Sequence, residues 1–222
     1  MRVDRALFDA TYTQLLAALT GVLSVATDLS TSDGLLYEAL RNNIYLFSAG
    51  KTAAQIKEMS SLLTAADGTI RTQAEFIRLA TELHQMWNVQ WLKTEYNMAM
   101  SSAQTVVFWQ DLEKQRAETG ITPIIVWDAV MDDRTRPDHA ALDGIAKPAD
   151  DPLWDKYQPP LGWGCRCTTR LTYDTQRITQ RLPDNMPPPD PLFGFNPYKT
   201  RAMYSPQHPY FAYAQEAAQQ LL

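Results

Sequence analysis

Apolar positions recur at helical spacing through the first half of the chain. Leu7, Leu15, Leu16, Leu19 and Leu23 fall along one helical face, and Leu35, Leu36, Leu40, Ile44 and Tyr45 mark a second helix over about 33–47. Gly50 is expected to end that second helix. Thr52 and Gln55 then have capping-box spacing, in which two side chains satisfy free backbone N–H groups, and predict a short helix over 53–63. Thr72 and Glu75 repeat the signature after the turn at Asp67-Gly68. Beyond them Phe76, Leu79, Leu83, Trp87, Trp91, Tyr96, Met98, Val107 and Leu112 continue with few breakers to Gly120. The pattern predicts one long helix, straight or kinked, over about 72–118. It is roughly twice the usual 8–20 residues, so it should pack on the earlier helices or on another chain, and self-association through it is expected.

The pattern changes after Gly120. All 14 prolines lie between Pro123 and Pro209, and none precedes them to interrupt a helix. Residues 121–131 combine β-branched and aromatic side chains and read as a strand; residues 165–173 alternate and can pair with it. Residues 211–222 read as a docking helix. The fold class is therefore α+β. An N-terminal helical region with one long helix (1–120) precedes a small Pro-rich domain on a short antiparallel sheet (121–182) and a Pro-rich extension with a C-terminal helix (183–222).

Composition narrows the function classes. With 222 residues, 45% hydrophobic and 20% charged, the chain has the balance of a folded protein with a core. A formal charge of -5 argues against a dedicated sequence-independent DNA binder. The best apolar run, Leu15 to Val25, is interrupted by Thr20 and Gly21 and falls short of the roughly 18 residues a membrane span needs. Charges of both signs at Arg2, Asp4 and Arg5 argue against a signal peptide, so the chain is expected to stay in the cytoplasm where it is made. Two cysteines, Cys165 and Cys167, exclude a disulfide framework and read as thiols.

The informative segment is Asp132 to Gly144, followed by Trp163-Gly164-Cys165-Arg166-Cys167. Thr135 can cap a short helix with Pro137 in its first turn, which sets His139 and Asp143 four apart on one face before Gly144 ends it. On a strand, Cys165 and Cys167 point to the same side and Arg166 away from it. Two thiolates, an imidazole and a carboxylate would complete a tetrahedral structural Zn2+ site. A second reading stands beside it: His139 and Asp143 hydrogen-bond to each other or to Arg134 and Arg136, while the cysteines pack as small buried residues. Arg134, Arg136, Arg166 and Arg170 could bind phosphate, but they face equal numbers of acids in Asp132, Asp133, Asp138 and Asp143, which favours internal ion pairs. The aromatic series Trp87, Trp91, Tyr96, Phe108 and Trp109 reads as packing rather than base stacking, and His84 as a polar-face or satisfied core residue. Phosphate-binding Gly-rich loops, nucleophile elbows and His-Glu-x-x-His pairs are absent, so no catalytic residue is assigned.

Asp133-Arg134-Thr135-Arg136-Pro137-Asp138-His139, Leu142-Asp143-Gly144, Pro159-Pro160 and Gly164-Cys165-Arg166-Cys167 resemble, in that order, the core of the phage Mu F-like minor head proteins. The resemblance extends upstream through Trp91 to Tyr96 and Ser102-Ala103-Gln104, and downstream through Asn196-Pro197 and Gln207 to Phe211. It implies a minor head protein of a tailed phage or prophage, acting in head morphogenesis in the head interior or near the portal. Its expected partners are the portal and/or major capsid protein. It brings no accepted catalytic mechanism, so His139, Asp143, Cys165 and Cys167 carry over as motif positions only. Two alternatives remain at this point: a metal-dependent nucleic-acid hydrolase with His139 and Asp143 at the metal and Arg134 or Arg136 on phosphate, and a DNA-contacting packaging or ejection factor.

Overall fold

A computed structural model describes residues 3–24, 28–183 and 186–222; Arg2 and Val25, used above, lie outside them. Helix α1 (Arg5–Thr20) starts at Asp4, whose carboxylate accepts the Leu7 N–H, and α2 (Ser32–Ser61) starts at Thr31, whose hydroxyl accepts the Gly34 N–H. Gly50 does not end α2, and no separate helix begins at Thr52: the helix runs through both. A Cβ on Gly50 would collide with the Tyr210 carbonyl, so this glycine serves the close approach of the C-terminal segment rather than a helix end. Thr52 is fully buried and turns its hydroxyl back to the Ser48 carbonyl at 2.9 Å instead of capping.

The long helix is present and continuous over Gln73–Thr119, as α3 (Gln73–Gln85), a π-helical turn (Met86–Trp91) and α4 (Leu92–Thr119). Both halves of the Thr72/Glu75 capping box form, and Gly120, in the left-handed conformation at φ 69°, closes the C-terminus. No described helix is long and apolar enough to cross a membrane.

Three short strands make an antiparallel sheet in the order β2-β1-β3: β1 (Ile124–Asp128), β2 (Ala146–Pro148) and β3 (Thr168–Thr172). Ile125 lies opposite Lys147 on one side and Leu171 on the other. The strands are shorter than the apolar pattern suggested, because pairing stops where Ala129 turns toward Asp143 and where the Gly162–Cys165 turn precedes Thr168. Helix α5 (Pro137–Ala140) lies between β1 and β2, while α6 (Pro197–Thr200) and α7 (Phe211–Gln219) follow β3.

Helix α4 contributes to two cores. Met98, Ala99, Ala103 and Val106 pack with Leu15, Leu40 and Phe47 of α1 and α2, and Trp109 and Leu112 pack with Ile125, Trp127 and Trp154 around the sheet. The Pro-rich extension is not peripheral: Phe193, Met203, Tyr204 and Tyr210 belong to the helical core, and α7 sets Ala217 against Ala49 and Ala53 of α2. Two buried or half-buried amides fix this wrap. Asn43 accepts the Met203 and Tyr204 N–H groups at 2.9 Å each and donates to the Tyr204 carbonyl. Asn196 caps α6 and donates to the Trp154 carbonyl.

Candidate metal centre

Strand β1 delivers the chain to a loop that is closed at its base. The Gly144 N–H donates to the Trp127 carbonyl and the Ala129 N–H to Asp143 Oδ1, at 3.0 and 2.9 Å. Within this loop α5 is a single turn begun by Pro137, whose missing N–H costs nothing at a helix start. Its cap position is Arg136 and not Thr135, which is engaged with Asp132 instead. The turn buries His139 to 5% exposure, edge-on to Trp127 at 6.4 Å.

The second half of the site is the turn before β3. Cys165 and Cys167 precede the strand rather than lying on it: the Cys165 N–H closes a turn on the Gly162 carbonyl, and Gly164 holds φ 68°. Arg136 ties the two halves together by donating to the Trp163 carbonyl, and a Cβ on Gly162 would collide with its guanidinium. The result is convergence. His139 Nδ1 stands 3.5 Å from Cys165 Sγ and 3.6 Å from Cys167 Sγ, and the three ligand atoms lie within 4.8 Å of one another.

Asp143 does not join them. The helix that would have set it one turn from His139 ends at Ala140, and its carboxylate is spent on the Ala129 N–H. The acid expected as a fourth ligand instead closes the loop that carries His139. The expected ion pairing is seen in part: Asp132 receives both arms of Arg166 at 2.6 Å and lies 3.8 Å from Arg134. Arg166 holds the Asp132 carboxyl well below the ordinary carboxylate range. Among the described residues Arg136 pairs with no acid; its Nη1 lies 3.3 Å from His139 Nε2.

The donor set suits zinc. With Zn–S about 2.3 Å and Zn–N about 2.0–2.1 Å, a tetrahedron places sulfur and nitrogen about 3.5 Å apart, and both nitrogen–sulfur separations here match that edge. Hydrogen bonds from Cys167 and His139, with backbone help from Leu161, favour the Cys165 thiolate, while the proton retained between the sulfurs pushes the Cys167 thiol up. The hydrogen bond to Cys165 raises His139. One feature suits the metal-free protein better. Arginine only donates, so Arg136 requires Nε2 to accept and leaves the ring proton on Nδ1, facing the sulfurs. Metal on Nδ1 would move that proton to Nε2 and set two donors against each other.

A cavity of about 40 Å³ lies against all three ligands and is lined by Arg134, Arg136 and Arg166 but by no carboxylate. On the other side of the cysteines a cleft of about 670 Å³ opens between them and the Tyr96, Met100, Gln104 and Phe108 face of α4.

A second buried polar centre carried no sequence signal. Lys51 of α2 is fully buried, forms an ion pair with Glu95 of α4 and donates to the Trp87 carbonyl at 2.9 Å, inside the π-helical turn. Tyr210 reaches the other Glu95 oxygen and Tyr204 its backbone carbonyl. A lone lysine and a lone glutamate 44 positions apart have no local pattern that sets them apart from surface charges. Trp91, at 37% exposure, and His84, bonded to Asn88, sit at the surface, whereas Trp87 and Trp109 are buried as packing residues.

Residues 48–170 match the family described as Phage Mu protein F like protein. The chain is 33% identical over 93 residues to the putative capsid assembly protein F of Escherichia phage Mu, covering 42% of this chain and 18% of that protein. It is 56% identical over 39 residues to the Mu-like prophage FluMu F protein of Haemophilus influenzae, covering 18% of this chain and 9% of that protein. These alignments span less than a fifth of either curated relative. No solved structure matches the chain.

Proposed function

Because the chain belongs to the phage Mu protein F-like family, we propose that it is a minor head protein of a tailed phage or prophage, acting in head assembly at or near the portal. The observation that carries this reading is the family match over 48–170, which runs from within α2 to β3 and contains His139, Cys165 and Cys167. In this reading the helices dock on the portal or major capsid protein, and the motif domain is a compact unit whose two loops are clamped by structural zinc on His139, Cys165 and Cys167. The lining of the small cavity offers no carboxylate as a base, and Asp138 and Asp143 both accept backbone N–H groups. That supports a structural role for the metal over hydrolysis.

Co-expression with the portal and major capsid proteins of the same genome, followed by size exclusion and mass spectrometry of purified heads, tests the assembly role. Co-elution with the portal oligomer and recovery in heads is the expected result. A chain that elutes alone and is missing from heads overturns it.

A further inference from the structure

The geometry points to an open position at the His139–Cys165–Cys167 centre: we propose that its fourth ligand is a small oxyanion from outside the chain, received in the arginine-lined cavity. The inference rests on the metal reading above and deepens it. Zinc takes four ligands, and among the described residues three ligand atoms converge. Asp143, the acid expected to complete the set, is committed to Ala129.

The cavity next to the three ligands has the size for such a guest. At about 40 Å³ it exceeds the roughly 10–15 Å³ that one water needs by this kind of measure. Its charge fits as well. Two thiolates already balance a divalent ion, so a further anion must be met by the protein, and Arg134, Arg136 and Arg166 supply guanidinium groups that suit oxyanions. Asp132 offsets part of this charge, but it stands outside the lining, shared between Arg134 and Arg166; Asp138 is directed at the backbone N–H of His139. The contact between Arg136 Nη1 and His139 Nε2 adds a second reason. Once Nδ1 gives its lone pair to a metal, both atoms are donors 3.3 Å apart, and a histidine ligand ordinarily donates its second N–H to an acceptor. An oxyanion provides that acceptor where the chain does not.

Cobalt(II), which reports thiolate ligation and coordination number in its visible spectrum, tests the proposal on the full chain. The cobalt protein is titrated with inorganic phosphate and, separately, with acetate. The expected result is a saturable change in the ligand-field bands with the thiolate-to-cobalt band retained. In Arg134→Gln, which alters a largely exposed side chain, the midpoint should rise by about tenfold, the loss of one charge-assisted hydrogen bond. A response to phosphate alone assigns a phosphoryl group, and a response to acetate alone a carboxylate. Cobalt bound through thiolates with a spectrum indifferent to both anions overturns the open position and leaves the metal reading standing. A protein that takes up no cobalt overturns both.

Discussion

Two polar centres in this protein are built from different groups and end in different states. Around Lys51 and Glu95, charges are withdrawn from water and met from within: the ammonium reaches a carboxylate and a carbonyl, and the carboxylate also receives Tyr210. Around His139, Cys165 and Cys167, strong ligand atoms face one another and a small cavity lined by arginines. A buried polar group whose partners are all in the chain fixes a fold. The two centres are also joined: Trp163, whose carbonyl holds Arg136, lays its indole edge-on against His208 and Phe193 of the helical core.

The largest expected effect breaks the first centre. Lys51→Met strands Glu95 in the core and should cost about 3–5 kcal/mol, whereas Lys51→Met with Glu95→Leu removes both charges and should recover most of that loss. Urea unfolding of the three proteins measures this directly; a single variant as stable as the parent would mean the pair is dispensable.

The second effect addresses the other centre. A metal held at a hundred times its Kd contributes about 2.7 kcal/mol, so chelation should lower the melting temperature of the parent. Cys165→Ser should reproduce that loss and abolish the response to chelator, and adding Cys167→Ser should change little further. A parent indifferent to chelator contradicts the zinc clamp.

A smaller effect probes the joint between them. Burial, with Lys51 nearby, pulls His208 down from 6.5 to about 4. Between those values the unfolded chain holds a proton on His208 that the folded chain refuses, so stability should fall as pH drops from 6.5 to about 4, with no further loss from this group below that. Glu95, which faces the same cavity as His208, and Lys51, which is paired with it, belong to the same balance. Replacement by Asn should flatten that slope in melting curves taken across the window. The smallest effect is at the surface: Asp132→Asn breaks a two-armed, solvent-screened contact with Arg166 and should leave the melting temperature close to that of the parent. A loss as large as that of Lys51→Met would erase the contrast between buried and exposed pairs.

Local rules were legible where local groups decide. The Thr72/Glu75 box and Gly120 bound the long helix because capping is settled within one turn. Gly50 and Thr52 misled for the complementary reason: both look like boundary residues, and both are overruled by what packs on them, the Tyr210 backbone in one case and full burial in the other. Asp143 followed the same course, correct in type for a ligand but claimed by a backbone amide 14 positions earlier.

By itself the sequence determined the α+β division, the long helix, the pairing of a strand within 121–131 with one within 165–173, and the residue types able to bind a metal. Periodicity, proline placement and ligand chemistry are properties of short stretches. Tertiary structure alone decided that Lys51 meets Glu95, that the Pro-rich extension completes the helical core, and that three ligands converge and the fourth candidate does not. Those outcomes depend on atoms far apart in the chain reaching within a few ångströms of one another, and no local pattern encodes which of many chemically equal residues will do so.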